Sequence, residues 1–245
     1  MLYKTGKFLL QGFIKLIGIF PLGFHHFNAK WIGWCIENVF KYRTDLVDDN
    51  LNHAFPEKTQ SERDQIRHQF YIHFAKIFLE AVWFSACDRK RLRNSHIAEI
   101  INPELVNKLY DERPSIMIMS SHSGNWEIMG GACNYSYKED FHFSDLDICS
   151  VYRKLSSKMM NEIMEDIRLA VISDRKAFTG YMESRNVLRY VFKNKDKKKI
   201  YLFTTDQRPY FNGPDHMTVN FMNRPCLTMS ASAGVAKKFG MAVVY

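Results

Sequence analysis

The sequence predicts an α/β protein in which a mostly parallel mixed sheet is flanked by helices and follows a helical N-terminal region. Two observations predict this fold. Apolar residues recur with helical periodicity in the N-terminal part of the chain, whereas the remainder alternates short apolar runs with helical segments. We therefore expect a helix over residues 1–27, a helical region over 28–110 and an α/β core over 111–245.

Residues 1–27 are apolar but interrupted by Gln11, Lys15 and Pro21. The segment falls short of the roughly 20 apolar residues of a membrane-spanning helix, and it lacks the cleavage site of a secretory signal. On a helix, Lys7, Gln11 and Lys15 fall on one side. This pattern favours an amphipathic helix in a membrane interface with its lysines toward the headgroups. The alternative is a helix docked on the protein's own core.

The clearest helix of the chain begins shortly after Pro56. Thr59 and Glu62 have the spacing of a capping box, and apolar residues recur at helical spacing between positions 66 and 81. The charged stretch CDRKRLRNSH, residues 87–96, then predicts a boundary before the α/β core.

Four short apolar runs predict the buried strands of the core, namely SIMIMS, LDICSVYR, KKIYLFTTD and GMAVVY. Helical segments lie between them, at about residues 155–170 and 182–193. The last run ends the sequence at Tyr245 without a cap or a polar tail. We therefore expect the sequence to be a fragment of a longer chain.

Lysine and arginine outnumber aspartate and glutamate by 34 to 26, which gives a formal charge of +8. This excess favours an acidic partner such as nucleic acid, anionic lipid or an acidic carrier protein. General surface solubility is the alternative. No RNP-like, helix-turn-helix or zinc-finger signature is present, which argues against a nucleic-acid binder. The five cysteines have no C-x-x-C spacing, so we expect reduced thiols, a cytosol-facing protein, and no metal or redox cofactor.

The stretch SIMIMSSHSGNWEIMGG, residues 115–131, contains the candidate chemistry. His122 and Glu127 are five residues apart and would not face each other on one α-helix. They can meet only if His122 precedes the helix, with a turn between them at the sheet edge where open α/β sheets bind ligands. A histidine oriented by a carboxylate is a general base, so we predict that Glu127 holds the ring of His122. A capping histidine beside a surface glutamate is the alternative.

No G-x-S-x-G elbow accompanies this stretch, which favours direct deprotonation of a substrate hydroxyl that then attacks an activated carbonyl. Trp126 is predicted to form a wall of the substrate site. Ile128 and Met129 are predicted to belong to the core.

HSGNWE, residues 122–127, resembles the H-x4-D/E block of glycerolipid acyltransferases, in the form found in the late (secondary) lipid A acyltransferases of lauroyl or myristoyl type. Further blocks resemble the family in the same order, namely residues 42–63, VYRK at 151–154, TTDQ at 204–207 and residues 219–244. The resemblance covers nearly the whole chain. Ser123 replaces a bulkier family residue and FMN at 221–223 replaces FFG, which leaves chain length and acceptor open.

The resemblance implies an O-acyltransferase of lipopolysaccharide biosynthesis at the cytoplasmic face of the bacterial inner membrane. Its donor would be an acyl thioester of acyl carrier protein or coenzyme A, and its acceptor a hydroxyl of a lipid A precursor, which is an anionic glycolipid. Acylation of another amphiphile, such as an ornithine lipid or lysophospholipid, and a catalytically silent lipid-binding protein are the alternatives.

The resemblance also implies roles for individual residues. His122 would be the base and Glu127 its partner, and Arg153 would meet a substrate phosphate or the developing oxyanion. Asn125, Trp126 and Asp206 are the other predicted substrate-binding residues, and for Asp206 the role is either structural or substrate-positioning.

Overall fold

The computed structural model describes residues 2–207 and 216–245. The N-terminal helices are α1 (Leu2–Gly18), α2 (Leu22–Asn38), α3 (Thr44–Ala54), α4 (Gln60–Phe84), α5 (Arg89–Ser95) and α6 (Pro103–Glu112). They are followed by β1 (Ile116–Ser120), a 3₁₀ helix (Trp126–Asn134), β2 (Ile148–Tyr152), α7 (Lys158–Arg168), β3 (Tyr181–Glu183), α8 (Val187–Lys193) and β4 (Ile200–Thr204). The last elements are β5 (His216–Phe221), β6 (Arg224–Met229), α9 (Ala231–Lys238) and β7 (Ala242–Val244).

The core is a five-stranded sheet with the strand order β3-β2-β4-β1-β7, and its paired strands are parallel. The central strands β1 and β4 run in register from Ile116 opposite Ile200 to Ser120 opposite Thr204. Strands β5 and β6 form a separate antiparallel hairpin. The predicted α/β class with a parallel sheet flanked by helices is confirmed, and each of the four predicted apolar runs contains a strand.

Two local differences from the sequence-based expectations have clear causes. The charged stretch 87–96 contains helix α5, because Asp88 caps it through the Arg91 amide and Leu92 is fully buried. The predicted helix 182–193 begins only at Val187, because the residues before it form the short edge strand β3 and then a 3₁₀ turn at Ser184–Asn186.

Helix α4 packs against α1, α2 and α3 of the N-terminal region. Its predicted capping box forms, with the Glu62 amide donating to Thr59 Oγ1 at 3.3 Å and the Thr59 amide donating to Glu62 Oε2 at 2.8 Å. Helix α2 packs closely against it at Gly33, where an added Cβ would lie 2.7 Å from Cα of Ile72. The glycine therefore permits the contact between the two helices.

Helix α1 docks on α7 through its polar side. Lys7 Nζ donates to Glu162 Oε2 at 2.7 Å, and the Gln11 amide bonds the Asp166 carboxylate one turn further along. Leu10 and Ile14 of α1 pack against the core. Much of the outer surface of the helix is apolar and exposed, including Phe8, Leu9, Phe13, Leu16 and Ile19. The side predicted to face lipid headgroups thus contacts the protein at Lys7 and Gln11, because two acidic residues one turn apart on α7 match their spacing.

A sharp break separates α1 from α2. The two helices are bent by 112° around a break that contains Pro21, so the predicted helix 1–27 ends at Gly18. Arg91 donates to the carbonyls of Gly18, Ile19 and Phe20. Within the described residues no single helix has the length and apolarity to cross a membrane, although the bent α1–α2 pair passes that test when taken together.

We expect Gly33→Ala to lower the free energy of unfolding by about 1–3 kcal/mol, because the added methyl group overpacks the contact with Ile72. Gly23→Ala, in the same helix, is the matched control. An added Cβ there meets nothing within 4 Å, so the expected change is below about 0.5 kcal/mol. Chemical denaturation followed by circular dichroism measures both, and equal effects would contradict the packing argument.

Candidate active site

The register of β1 and β4 brings two polar residues together at the carboxyl edge of the sheet. Ser120 lies opposite Thr204, and the Thr205 amide donates to the Ser120 carbonyl at 2.9 Å. His122 and Asp206 each follow their strand by two residues. The distance from His122 Nδ1 to Asp206 Oδ1 is 2.6 Å, and the His122 backbone amide donates to Asp206 Oδ2 at 2.7 Å.

The Asp206 carboxylate determines which ring nitrogen of His122 carries the proton. An ionised carboxylate only accepts hydrogen bonds, so in the neutral imidazole Nδ1 of His122 carries the proton and Nε2 has the lone pair. Burial of Asp206 opposes its ionisation, but the hydrogen bonds from the amide and ring of His122 outweigh burial and lower its pKa below the usual value. The arrangement is that of an oriented general base.

The turn after His122 is anchored to α4 through Asn125. Gly124 adopts a positive φ of 74°, which reverses the chain. Asn125 Nδ2 donates to the Ile77 carbonyl at 3.0 Å and to Glu80 Oε2 at 2.9 Å, and Asn125 Oδ1 accepts from the Glu127 amide at 3.0 Å. Asn125, which was predicted to bind substrate, therefore caps the 3₁₀ helix and uses both polar atoms of its side chain within the protein.

Glu127 has other partners than those predicted from the sequence. Its buried carboxylate accepts from Arg168 Nε at 2.6 Å, from Arg168 Nη2 at 2.9 Å and from Trp126 Nε1 at 2.9 Å. The prediction gave Glu127 the role of bonding the His122 ring, and in the structure Asp206 makes that bond. The 3₁₀ helix that starts at Trp126 directs Glu127 toward α7, whereas His122 meets the end of β4.

Trp126 contacts both the imidazole of His122 and the carboxylate of Glu127. Its ring lies edge-on to the imidazole of His122, with 4.6 Å between ring centroids and 70° between planes, while its indole nitrogen donates to Glu127. Arg168 also donates to the Tyr181 hydroxyl at 3.0 Å. Burial raises the pKa of Tyr181 to about 12, against the opposing effect of Arg168, so the phenol stays neutral. Burial acts against the charge of Arg168, but the bonds to Glu127 raise its pKa overall.

A cleft of about 280 Å³ opens beside these groups. Its polar lining includes His122, Trp126, Glu127, Arg153, Arg168 and Tyr181. Its apolar lining includes Met129, Val151, Leu155, Leu202 and Met229. Asn125 and Asp206 line a second, more open groove, which shares Ser120, Trp126 and Met129 with the cleft. A cleft of this mixed character suits an amphiphile that has both a charged and an apolar part.

Arg168 and Tyr181 were not predicted as site residues, because nothing in the local sequence pattern distinguishes them from surface residues of a helix and a loop. The partner of His122 did leave a signal. SSH and TTD each end a strand and place a titratable residue two positions beyond it. Among the described residues, no group of three or more histidine, cysteine, aspartate or glutamate side chains has the arrangement of a metal site.

A family model described as bacterial lipid A biosynthesis acyltransferase matches residues 1–245. A search of curated protein sequences gives no significant match. The family match includes both the helical N-terminal region and the α/β core, so it covers every residue of the site described above.

We expect Arg168→Met to lower the free energy of unfolding by about 3–5 kcal/mol, because it leaves the buried Glu127 carboxylate without its ionic partner. The double variant Glu127→Gln/Arg168→Met should recover at least half of that loss. Arg185→Met, at an exposed arginine, is the control and should change it by less than about 0.5 kcal/mol. Urea denaturation measures all three, and a loss below about 1 kcal/mol for Arg168→Met would contradict the argument.

Proposed function

Because the chain belongs to the bacterial lipid A biosynthesis acyltransferase family, we propose that it moves a fatty acyl chain from an acyl thioester to a hydroxyl of a lipid A precursor. The His122–Asp206 pair at the carboxyl edge of the sheet carries this proposal. It supplies an oriented base beside a cleft that is partly charged and partly apolar. Such a cleft matches a reaction in which a phosphorylated glycolipid meets a fatty thioester.

In the proposed reaction, His122 Nε2 removes the proton of the acceptor hydroxyl as the oxygen attacks the thioester carbonyl. Asp206 holds Nδ1 and stabilises the imidazolium that forms. The tetrahedral intermediate then collapses with cleavage of the C–S bond. The thiolate leaves with the proton from Nε2, which returns the imidazole to its neutral state.

Glu127 acts in this scheme as a positioning residue. It bonds the indole nitrogen of Trp126, whose ring packs on the imidazole of His122, and it holds Arg168 beside the cleft. We retain Trp126 as a wall of the substrate site. Asn125 fixes the turn that carries both residues.

Arg153 follows β2 and lines the cleft, so its guanidinium would bind an acceptor phosphate or the developing oxyanion. The excess of positive charge suits an anionic acceptor, and it also suits acyl carrier protein, which is acidic, as the carrier of the thioester. Coenzyme A is the alternative carrier. A direct comparison of the two donors in one transfer assay distinguishes them.

The proposal includes association with the cytoplasmic face of the inner membrane. Large apolar side chains on the outer surfaces of α1 and α2 are exposed, among them Phe8, Phe13, Phe27 and Trp31. Exposed apolar surface of this extent is typical of a site that contacts lipid or protein. A bilayer surface would deliver the insoluble acceptor to the cleft.

We expect His122→Ala to lower the rate of acyl transfer by about 10²–10⁴-fold, because the base is lost. Asp206→Asn should have an effect of the same order, because an amide can donate to Nδ1 and stabilise the wrong tautomer. Transfer of labelled acyl chains from acyl carrier protein to a lipid A precursor is the measurement, and thermal unfolding verifies that each variant is folded.

The matched control is His142→Ala. His142 Nδ1 lies 2.8 Å from Asp111 Oδ2 in an exposed pair that resembles the proposed dyad but does not line the cleft. Its loss should leave the transfer rate unchanged. A folded His122→Ala variant that transfers at the wild-type rate would eliminate the base.

We expect Phe8→Asp/Phe13→Asp to weaken binding to vesicles that contain phosphatidylglycerol by at least about tenfold, because two exposed apolar side chains no longer enter the interface. Leu188→Asp/Phe192→Asp on α8 is the matched control, since both residues are similarly exposed. Vesicle sedimentation measures the bound fraction. If the α8 variant loses as much binding as the α1 variant, α1 is not the specific membrane contact.

A further inference from the structure

The carboxylate of Glu80 on α4 joins three elements. Its Oε1 lies 2.7 Å from His26 Nε2 on α2, and its Oε2 accepts from Asn125 Nδ2 at 2.9 Å in the turn of the candidate site. Lys76 Nζ lies 3.7 Å from Oε1. Glu80 is only 7% exposed. A carboxylate at this depth normally has a partner for each oxygen, and here the two principal partners come from two different elements.

Two hydrogen bonds connect Glu80 to the 3₁₀ helix of the site. Glu80 accepts from the amide nitrogen of Asn125, and the amide oxygen of Asn125 accepts from the Glu127 backbone. The oxygen and nitrogen of an asparagine amide have nearly the same shape, so only their hydrogen-bond partners decide which way the group points. Glu80, with the Ile77 carbonyl, provides the acceptors that hold the oxygen of Asn125 toward Glu127.

The reacting ring lies at the end of this series of contacts. Trp126 is the first residue of the 3₁₀ helix that Asn125 caps, and its indole packs against the imidazole of His122. A shift of the capped turn therefore moves the Trp126 ring against which the imidazole packs. Small displacements of a positioned group are costly to catalysis even when every functional group is present.

We propose that Glu80 is a positioning residue for acyl transfer, acting through Asn125 and Trp126 on the ring of His122. The kinetic part of this inference rests on the function proposed above. His26 extends the connection to α2, so the helix with the exposed aromatic face is joined to the catalytic turn through a single buried carboxylate.

A second buried glutamate provides a matched control. Glu37 also joins α2 to α4, where it accepts from Arg67 Nε at 3.0 Å and lies 2.8 Å from His68 Nδ1, and it is also 7% exposed. Along α4, His68 is about 18 Å from Glu80 at 1.5 Å per residue. Loss of Glu37 therefore weakens the contact between α2 and α4 without removing a contact to the turn that contains Asn125.

The experiment compares Glu80→Ala, Glu80→Gln and Glu37→Ala in the full chain. We expect Glu80→Ala to lower kcat per folded molecule by about 10–100-fold, with KM changed less than about twofold, because binding groups remain while the base is misplaced. Glu80→Gln should remain within about threefold of wild type, since its amide oxygen can accept from Asn125 while its nitrogen donates to His26. Glu37→Ala should lower thermal stability but leave kcat unchanged.

A second measurement needs no substrate. In protein labelled with ¹⁵N-tryptophan, the indole resonance of Trp126, assigned by its absence in Trp126→Phe, should shift in Glu80→Ala and stay in place in Glu37→Ala. An unmoved resonance overturns the proposal whatever the kinetics, and so does an equal loss of kcat in Glu37→Ala. If the wild-type chain transfers no acyl group, the proposed function fails, while the indole resonance still decides whether Glu80 positions the turn.

Discussion

The candidate site depends on the parallel pairing of β1 with β4. His122 and Asp206 are 84 residues apart in sequence, and they meet because Ser120 lies opposite Thr204 and each partner stands two residues further on. A slip of two residues in this pairing would separate them by about 7 Å along the strands. The register is held by side chains buried on both faces, including Ile116, Met117, Ile200 and Tyr201. The packing of the sheet thus determines the geometry of the His122–Asp206 pair.

The N-terminal helices have an unusual distribution of polar and apolar surface. A helix docked on a soluble core normally buries its apolar stripe and exposes its charges. Helix α1 packs only part of its apolar surface, at Leu10 and Ile14, and also contacts α7 through Lys7 and Gln11. These contacts orient its phenylalanines outward, where they are exposed. In the proposed function, this outer surface is the one that meets lipid.

Much of the fold could be predicted from local patterns. The capping box at Thr59, the strand that ends at Ser120 and the turn before Trp126 all follow from short stretches of sequence. The short strand β3 and helix α5 left weaker signals, because tertiary contacts such as the burial of Leu92 decide them. Local pattern therefore gives the type of an element more readily than its ends.

The partners of the site residues were harder to predict from the sequence than the fold. Proximity in sequence made Glu127 the natural candidate to hold His122, since the two are five residues apart. The strand order determines the actual neighbour of the ring, and strand order depends on contacts between distant segments that no single stretch encodes. The matching offsets of His122 and Asp206 after their strands become informative only when β1 and β4 are known to be adjacent.

The buried ion pair between Glu127 and Arg168 constrains how the cleft is used in the proposed reaction. A hydrocarbon chain placed against this pair would remove its remaining access to water without offering a hydrogen bond, which is costly. In the proposed reaction, the acyl chain would therefore follow the apolar lining residues Val151, Leu155, Leu202 and Met229. The polar lining, with Arg153 and Tyr181, is left for the charged part of a substrate. Since Glu127 also bonds Trp126, the same carboxylate would limit the path of the acyl chain in the proposed reaction and supports the ring that packs on His122.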